Sequence, residues 1–373
     1  MNTAIPILIF ILILGIIVFV HEFGHFIMAR RCGIFVEEFA MGMGPKILTF
    51  RGKKKTKNPI EGQEEVTLYT LRVLPLGGFC KMRGMDENVP DDPESMNNKK
   101  LFDRILVVIG GSTMNFLLAL ILFTILNFVG GYSTSTVAFV AENSPAQQGG
   151  LMAGDRITHI NGSRVGLWDN LIFMIDTSGG NELDFRIVRE NERINLTITP
   201  ALRDDGFYRI GMNPEIRTGA LAPWPEHERA GILGSIGTSA QMISFHIRAP
   251  FRMLARFLTG QPTPEGARVM SFVGLAGEVT EIYQTTMQQE EYAVRITVLT
   301  MIFLAGIISI GIGTMNLLPI PALDGARLVF LAIEGIRRKP ISQEKEGMVH
   351  TIGFVVLLAL IVFMVGRDIV NLL

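Results

Sequence analysis

Residues 4–29 read AIPILIFILILGIIVFVHEFGHFIMA, an apolar run carrying His21-Glu22-Phe23-Gly24-His25 near its end. About 20 apolar residues cross a bilayer as a helix, so the run is long enough to span. On a helix the two histidines stand at i and i+4, on one face about a turn apart, where neutral imidazoles can share a metal ion. Glu22 sits beside the first of them without being a ligand, and can hold a water and take its proton. Each ionisable group inside a span costs about 2.5–3.5 kcal/mol on insertion scales unless paired or bound. Three within five residues therefore read as a metal site rather than as core histidines beside a buried glutamate. At about 1.5 Å per residue, Ala4 to His21 covers about 25 Å, which puts the metal inside the bilayer near the far end of the span.

The rest of the chain agrees with a membrane setting. Its 373 residues are 48% hydrophobic and 18% charged, with a mean hydropathy of +0.36, too apolar for an ordinary soluble enzyme. A formal net charge of −1 offers no basic excess for nucleic acid. Cys32 and Cys80 are the only cysteines, so no disulfide framework is implied. Further apolar stretches run over about Ile105–Val129, Val298–Leu318 and Ile352–Val365. Lysine and arginine collect after the first span (Arg30, Arg31, Arg51, Lys53), before the second (Lys99, Lys100, Arg104) and between the third and fourth (Arg327, Arg337, Arg338). All three clusters fall on the cytoplasmic side if the N-terminus is external. Residues 1–3 carry no lysine or arginine and no small-x-small site follows the run, so the first span is expected to be an uncleaved anchor.

Two histidines leave zinc one protein ligand short of the usual three of a catalytic site. The best candidate is Asp324, in Asn316-Leu317-Leu318-Pro319-Ile320-Pro321-Ala322-Leu323-Asp324-Gly325, where two prolines break the helix beside an aspartate at membrane depth. Two other readings stay open. One takes a glutamate as third ligand, although Glu290 and Glu291 fall on the external side. The other is a membrane adaptor with a structural metal, which should show a fourth protein ligand; none is evident.

HEFGH in the first span and NLLPIPALDG after the third resemble the paired signatures of the site-2 protease family of intramembrane zinc metalloproteases, in its bacterial regulator of sigma-E protease branch. Pro75-Leu76-Gly77-Gly78-Phe79-Cys80-Lys81-Met82 resembles that branch's PLGGY-V-K-M segment, with Phe79 and Cys80 as departures. Gly111-Ser112-Thr113-Met114-Asn115 resembles its G-x-x-x-N element, and Phe257–Gly260 with Ser271–Gly274 its segment before the third span. Only one PDZ-like unit fits, where some members carry two. The resemblance implies one zinc ion on His21, His25 and Asp324, and Glu22 as catalytic base. It also implies substrate contacts at Asn115, Asn316, Gly77 and Gly78. Implied substrates are single-span membrane proteins, such as anti-sigma factors or signal-peptide remnants, cleaved within or near their transmembrane segments after an upstream site-1-type protease has trimmed them.

The fold expected is a multi-pass α-helical membrane protein of four transmembrane helices, with a cytoplasmic-side re-entrant β-hairpin and an extracytoplasmic PDZ-like α/β domain, in a bacterial cell membrane. The expected parts are helix 1 over 1–31; a loop over 32–103 whose hairpin, about 66–83, turns at Pro75–Gly78; and helix 2 over 104–131. A PDZ-like domain follows over 132–215, with strands at 137–140, 157–160, 185–188 and 194–198. An amphipathic region lies at 216–294, where 230–258 mixes apolar residues with His246, Arg248, Arg252 and Arg256 and reads as a helix lying in the interface. Helix 3 with NLLPIPALDG covers 295–333 and helix 4 covers 346–369.

Overall fold

The structure, a computed structural model, describes residues 4–57, 64–85, 92–203, 206–218, 230–259, 272–288, 293–339 and 341–372. In chain order its elements are α1 (Ala4–Arg31), β1 (Val36–Lys57), β2 (Glu64–Met82), α2 (Leu101–Gly130), β3 (Gly131–Val140), α3 (Pro145–Gln148), β4 (Arg156–Ile160), β5 (Ser163–Arg164) and α4 (Trp168–Asp176). They continue with β6 (Leu183–Arg189), β7 (Glu192–Ile198), β8 (Ala201–Leu202), β9 (Tyr208–Arg209), β10 (Met212–Thr218), α5 (Ile232–Leu258), α6 (Phe272–Met287), α7 (Ala293–Leu317), α8 (Asp324–Arg337) and α9 (Gln343–Leu372). Two compact units result, one of Met1–Ala119 with Met270–Leu373 and the other of Leu120–Val269.

Among the described residues, four helices are long and apolar enough to cross a membrane: Ala4–Arg31, Leu101–Gly130, Ala293–Leu317 and Glu344–Asp368. On the last of these, Ile352, Val356, Val362 and Phe363 are largely exposed, as side chains facing lipid would be. In the first unit α1 and α2 touch backbone to backbone. A Cβ on Gly24 would fall on the Gly110 carbonyl, and one on Gly110 would come 2.8 Å from the Gly24 carbonyl oxygen. Small residues allow this approach where lipid supplies no hydrophobic drive between helices. Ser309 of α7 donates to the Asn115 carbonyl of α2 at 2.8 Å, fixing a third helix. Val279 of α6 is fully buried in a cluster with Phe10, Leu14 and Ile17 of α1.

The sheet between α1 and α2 differs from the hairpin expected over 66–83. Phe39 of β1 lies opposite Cys80 and also opposite Tyr69; Ala40 lies opposite Phe79 and Thr70. The two arms of β2 thus flank the first half of β1 instead of pairing with each other. Gly42 (φ 83) and Gly44 (φ 84) then turn the chain, and Lys46 to Lys57 pairs back along Arg72 to Glu64. Glycines, Pro45 and a lysine run interrupt the alternation of β1, which hid it as a strand.

In the second unit the sheet order is β10-β3-β4-β6-β7, with β5 paired to β4. The four segments expected as strands lie within β3, β4, β6 and β7; β10 was not foreseen. Val137, Ile157, Ile160, Phe185, Ile187 and Ile198 from the sheet close the core against Leu171 and Ile175 of α4. Asn161 (φ 46) and Gly162 (φ 74) supply the positive φ pair of a tight hairpin turn. The expected helix at 230–258 is α5; Ser239 on it accepts a hydrogen bond from Asn127 of α2 at 2.9 Å, both groups buried. Gly260 and Ser271, part of the anticipated segment before α7, lie outside the described residues.

The fully buried Asp155 accepts from the Met152 N–H at 2.8 Å and from Arg189 Nε and Nη2 at 2.7 and 2.8 Å. Removing a carboxylate that satisfies several donors costs about 2–3 kcal/mol. Asp155→Ala is therefore expected to weaken protection of β4 and β6 in amide hydrogen exchange on the full chain by that amount, leaving protection of α1 unchanged.

Candidate metal centre

α1 carries His21 and His25 to its buried side, each 7% exposed. The Nδ1 of His25 donates to the Val107 carbonyl of α2 at 2.9 Å. That bond leaves the Nε2 lone pair free to point inward, as metal-ligating histidines require. His21 and His25 face one another Nε2 to Nε2 at 3.2 Å.

The third group arrives from the far end of the chain. α7 stops at Leu317, and Pro319 and Pro321 deny the next turn its helical bonds. The freed groups are satisfied locally: the Ile320 N–H donates to the Leu318 carbonyl at 2.7 Å, and the Leu323 N–H to Ile320 at 3.1 Å. Ala322 takes a positive φ of 76, and its N–H donates to His350 Nδ1 of α9 at 3.1 Å. α8 then begins at Asp324, whose Oδ2 stands 3.2 Å from His21 Nε2 and 3.1 Å from His25 Nε2.

These three atoms form a nearly equilateral triangle. Donors on a tetrahedral zinc, with bonds of about 2.0–2.1 Å, are separated by about 3.3 Å, so spacing and donor types both fit that ion. Two imidazole lone pairs and a carboxylate oxygen aimed at one point also repel each other unless a cation lies between them. Gly111 completes the fit. A Cβ there would land on His25 Nε2 and lie 2.7 and 2.8 Å from His21 Cε1 and Nε2.

A cavity of about 330 Å³ opens beside the donors, lined among others by Glu22, Gly77, Gly78 and Asn316. Cys80 lines the same cavity as Glu22, and a Cβ on Gly78 would meet Glu22 Cγ at 3.3 Å. Burial, with the Glu22 charge beside it, pushes the Cys80 thiol well above the usual thiol range. Asn115 does not line the cavity. It is fully buried, with its side-chain nitrogen 3.3 Å from His21 Nδ1 and its oxygen without a partner. Turning the amide over puts the oxygen on His21 Nδ1–H, which is the pairing a metal-facing Nε2 demands.

Among the described residues, His21, His25 and Asp324 are the one cluster of such groups able to hold a metal. Glu290 and Glu291, the other third-ligand candidates, lie outside the described residues. Sequence reasoning missed Val107 and His350, and named Gly111 only as part of the G-x-x-x-N element. The Gly110-Gly111 pair inside an apolar span signals close helix approach; a backbone carbonyl leaves no sequence trace at all.

Two imidazoles, a carboxylate and an adjacent glutamate, held by helices able to cross a membrane, make the centre of a membrane metallohydrolase. The family model for peptidase family M50 matches residues 9–360. The chain belongs to this family, the site-2 proteases; it is a metalloprotease and an integral membrane protein, and the family's metal is zinc. The zinc metalloprotease RasP of Bacillus licheniformis is 31% identical over 454 residues, covering 100% of each chain. The regulator of sigma-W protease RasP of Bacillus subtilis is 29% identical, covering 97% of this chain and 98% of the other. A relative from Clostridium perfringens is 34% identical over 95% of each. Among solved structures, the PDZ domain of an SdrC-like protein from Listeria monocytogenes is similar at 25% identity over 23% of this chain and 86% of that chain, with a TM-score of 0.19.

Removing a group that orients a metal-ligating histidine lowers metal affinity about 10–100-fold. Asn115→Ala is expected to do so in a competitive chelator titration of the purified protein. Gly111→Ala, whose methyl occupies the space of both imidazoles, is expected to yield protein without bound zinc by elemental analysis.

Proposed function

We propose that the chain hydrolyses peptide bonds within or near transmembrane segments of single-span membrane proteins, using one zinc ion on His21, His25 and Asp324. The observation carrying this reading is the convergence of those three groups beside Glu22, in a cavity whose other wall is the strand Gly78–Met82. When bound, the ion acidifies a water to a pKa of about 7 and polarises the scissile carbonyl. The other roles belong to the chain. Val107 and Asn115 orient the two imidazoles. Glu22 takes the proton and passes it to the leaving amine.

A transmembrane substrate hides its scissile bonds in i to i−4 hydrogen bonds and must be unwound. The segment Gly78–Met82 pairs with β1 on one side and borders the cavity on the other. An unwound segment can add as a strand there, so that its backbone groups exchange one partner for another. Gly77, Gly78 and Asn316 are the substrate contacts in this reading; Asn115 acts through His21. Met43, Ile47, Phe50, Val73 and Leu74 of the same sheet are each more than half exposed, which supports a sheet dipping into the bilayer from the cytoplasmic side.

By charge asymmetry the N-terminus and the second unit lie outside the cytoplasm of a bacterial cell. The β3–β10 unit acts as a PDZ-like filter or peptide reader, and α5 lies in the membrane interface. Anti-sigma factors and signal-peptide remnants, shortened by a site-1-type protease, are the substrate class. The name of the Bacillus subtilis relative, a sigma-W regulator, supports the first of these.

Glu22→Gln is expected to keep its zinc and lose at least about 10²–10⁴-fold in cleavage of a single-span substrate by the detergent-solubilised protein. Asp324→Ala is expected to lose the zinc itself. Cleavage surviving in Glu22→Gln sinks the mechanism.

A further inference from the structure

Within the second unit, a cleft of about 700 Å³ lies between α5 and the corner formed by β4, β5 and the start of α4. Arg156, Arg164, Arg248 and Arg252 line it together with His159, and among the described residues no carboxylate does. Arg252 is held across the cleft by donating to Asn170 Oδ1 at 3.2 Å. Among the described residues, none of the four arginines makes an ion pair. Four unneutralised guanidinium groups around one polar hollow make a site for an anion, and guanidinium matches the oxygens of a phosphate group.

The next face of α5 indicates which anion. Ile232, Leu233, Ile236, Ile243, Ile247 and Phe251 fall within about 100° of the helix circumference at 100° per residue, whereas Arg248 and Arg252 fall about 60° and 100° past its edge, on the face turned to the cleft. Ile232, Leu233, Ile236 and Phe251 are 52%, 81%, 41% and 46% exposed. An apolar stripe open to its surroundings with a cationic hollow along its flank has the two-part chemistry of a phospholipid: acyl chains on the stripe, phosphate among the arginines. A free peptide carboxylate needs the cations but not the stripe.

We infer that the cleft between α5 and the β4–β5 corner binds the headgroup of an anionic phospholipid. The inference rests on the interfacial reading of α5. Bound lipid then joins α5 to the sheet corner, so membrane composition bears on how firmly the second unit is held at the bilayer surface.

The test uses the full chain in mild detergent, with binding of fluorescent short-chain phosphatidylglycerol measured against phosphatidylcholine. Phosphatidylglycerol is expected to bind more tightly, and Arg156→Gln with Arg164→Gln, or Arg248→Gln with Arg252→Gln, to weaken it about 25-fold per pair, the effect of two charges near a lipid surface. The corresponding lysine pairs retain most of the binding, which separates lost charge from a misfolded unit. Equal binding of the two lipids, or no effect of either glutamine pair, overturns the inference. So does displacement of the lipid by inorganic phosphate at equal concentration, or by a peptide with a free but not an amidated C-terminus. A nitroxide at position 233 in vesicles distinguishes the failures. A water-exposed label overturns the interfacial reading; a lipid-immersed label without headgroup preference overturns the headgroup site alone.

Discussion

At Gly24 and Gly110 two apolar helices approach until backbone meets backbone, and the metal centre is a consequence of that distance. The Val107 carbonyl can reach His25 Nδ1 only because no side chain separates α1 from α2 there. Gly111 leaves the space into which both imidazoles turn. A methyl on any of the three glycines would move the helices apart or push the rings off their common point. Small residues at this crossing thus serve chemistry as well as packing, since the ligand geometry is set by helix separation.

The second constraint is the satisfaction of polar groups away from water. The imidazoles have named partners, His25 on the Val107 carbonyl and His21 on Asn115, and the lone pairs they turn toward Asp324 call for a cation between them. The same requirement shapes the broken helix after α7. Prolines release backbone groups, and short turns together with His350 take them up, which delivers Asp324 to the donors instead of to solvent. The segment Gly78–Met82 pairs with β1 on one side and borders the cavity on the other.

Much of this was written plainly in the chain. Spans announce themselves by length and hydropathy, and HEFGH inside one of them is costly enough to demand a metal. Asp324 was legible only beside HEFGH, whose two histidines lack a third ligand that an acid next to two prolines at membrane depth can supply. The alternating strands of the second unit could be read for the same reason, since Ile157, Ile160, Phe185 and Ile187 return at strand spacing. Less was visible where backbone does the work. β1 lies between the two arms of β2, but its glycines, proline and lysines conceal the pairing, because ladder hydrogen bonds are made by groups that every residue carries.

HEFGH, the four spans and Asp324 were determined by sequence alone, since each depends on a side chain's own cost of burial or on its spacing along a helix. Tertiary structure decided what surrounds them. It turned Asn115 from the cavity toward His21, set Val107 and His350 as supports, and required glycine at position 111. Those assignments depend on distances between segments tens to hundreds of residues apart. Local periodicity carries no record of such distances, and only the packed helices fix them.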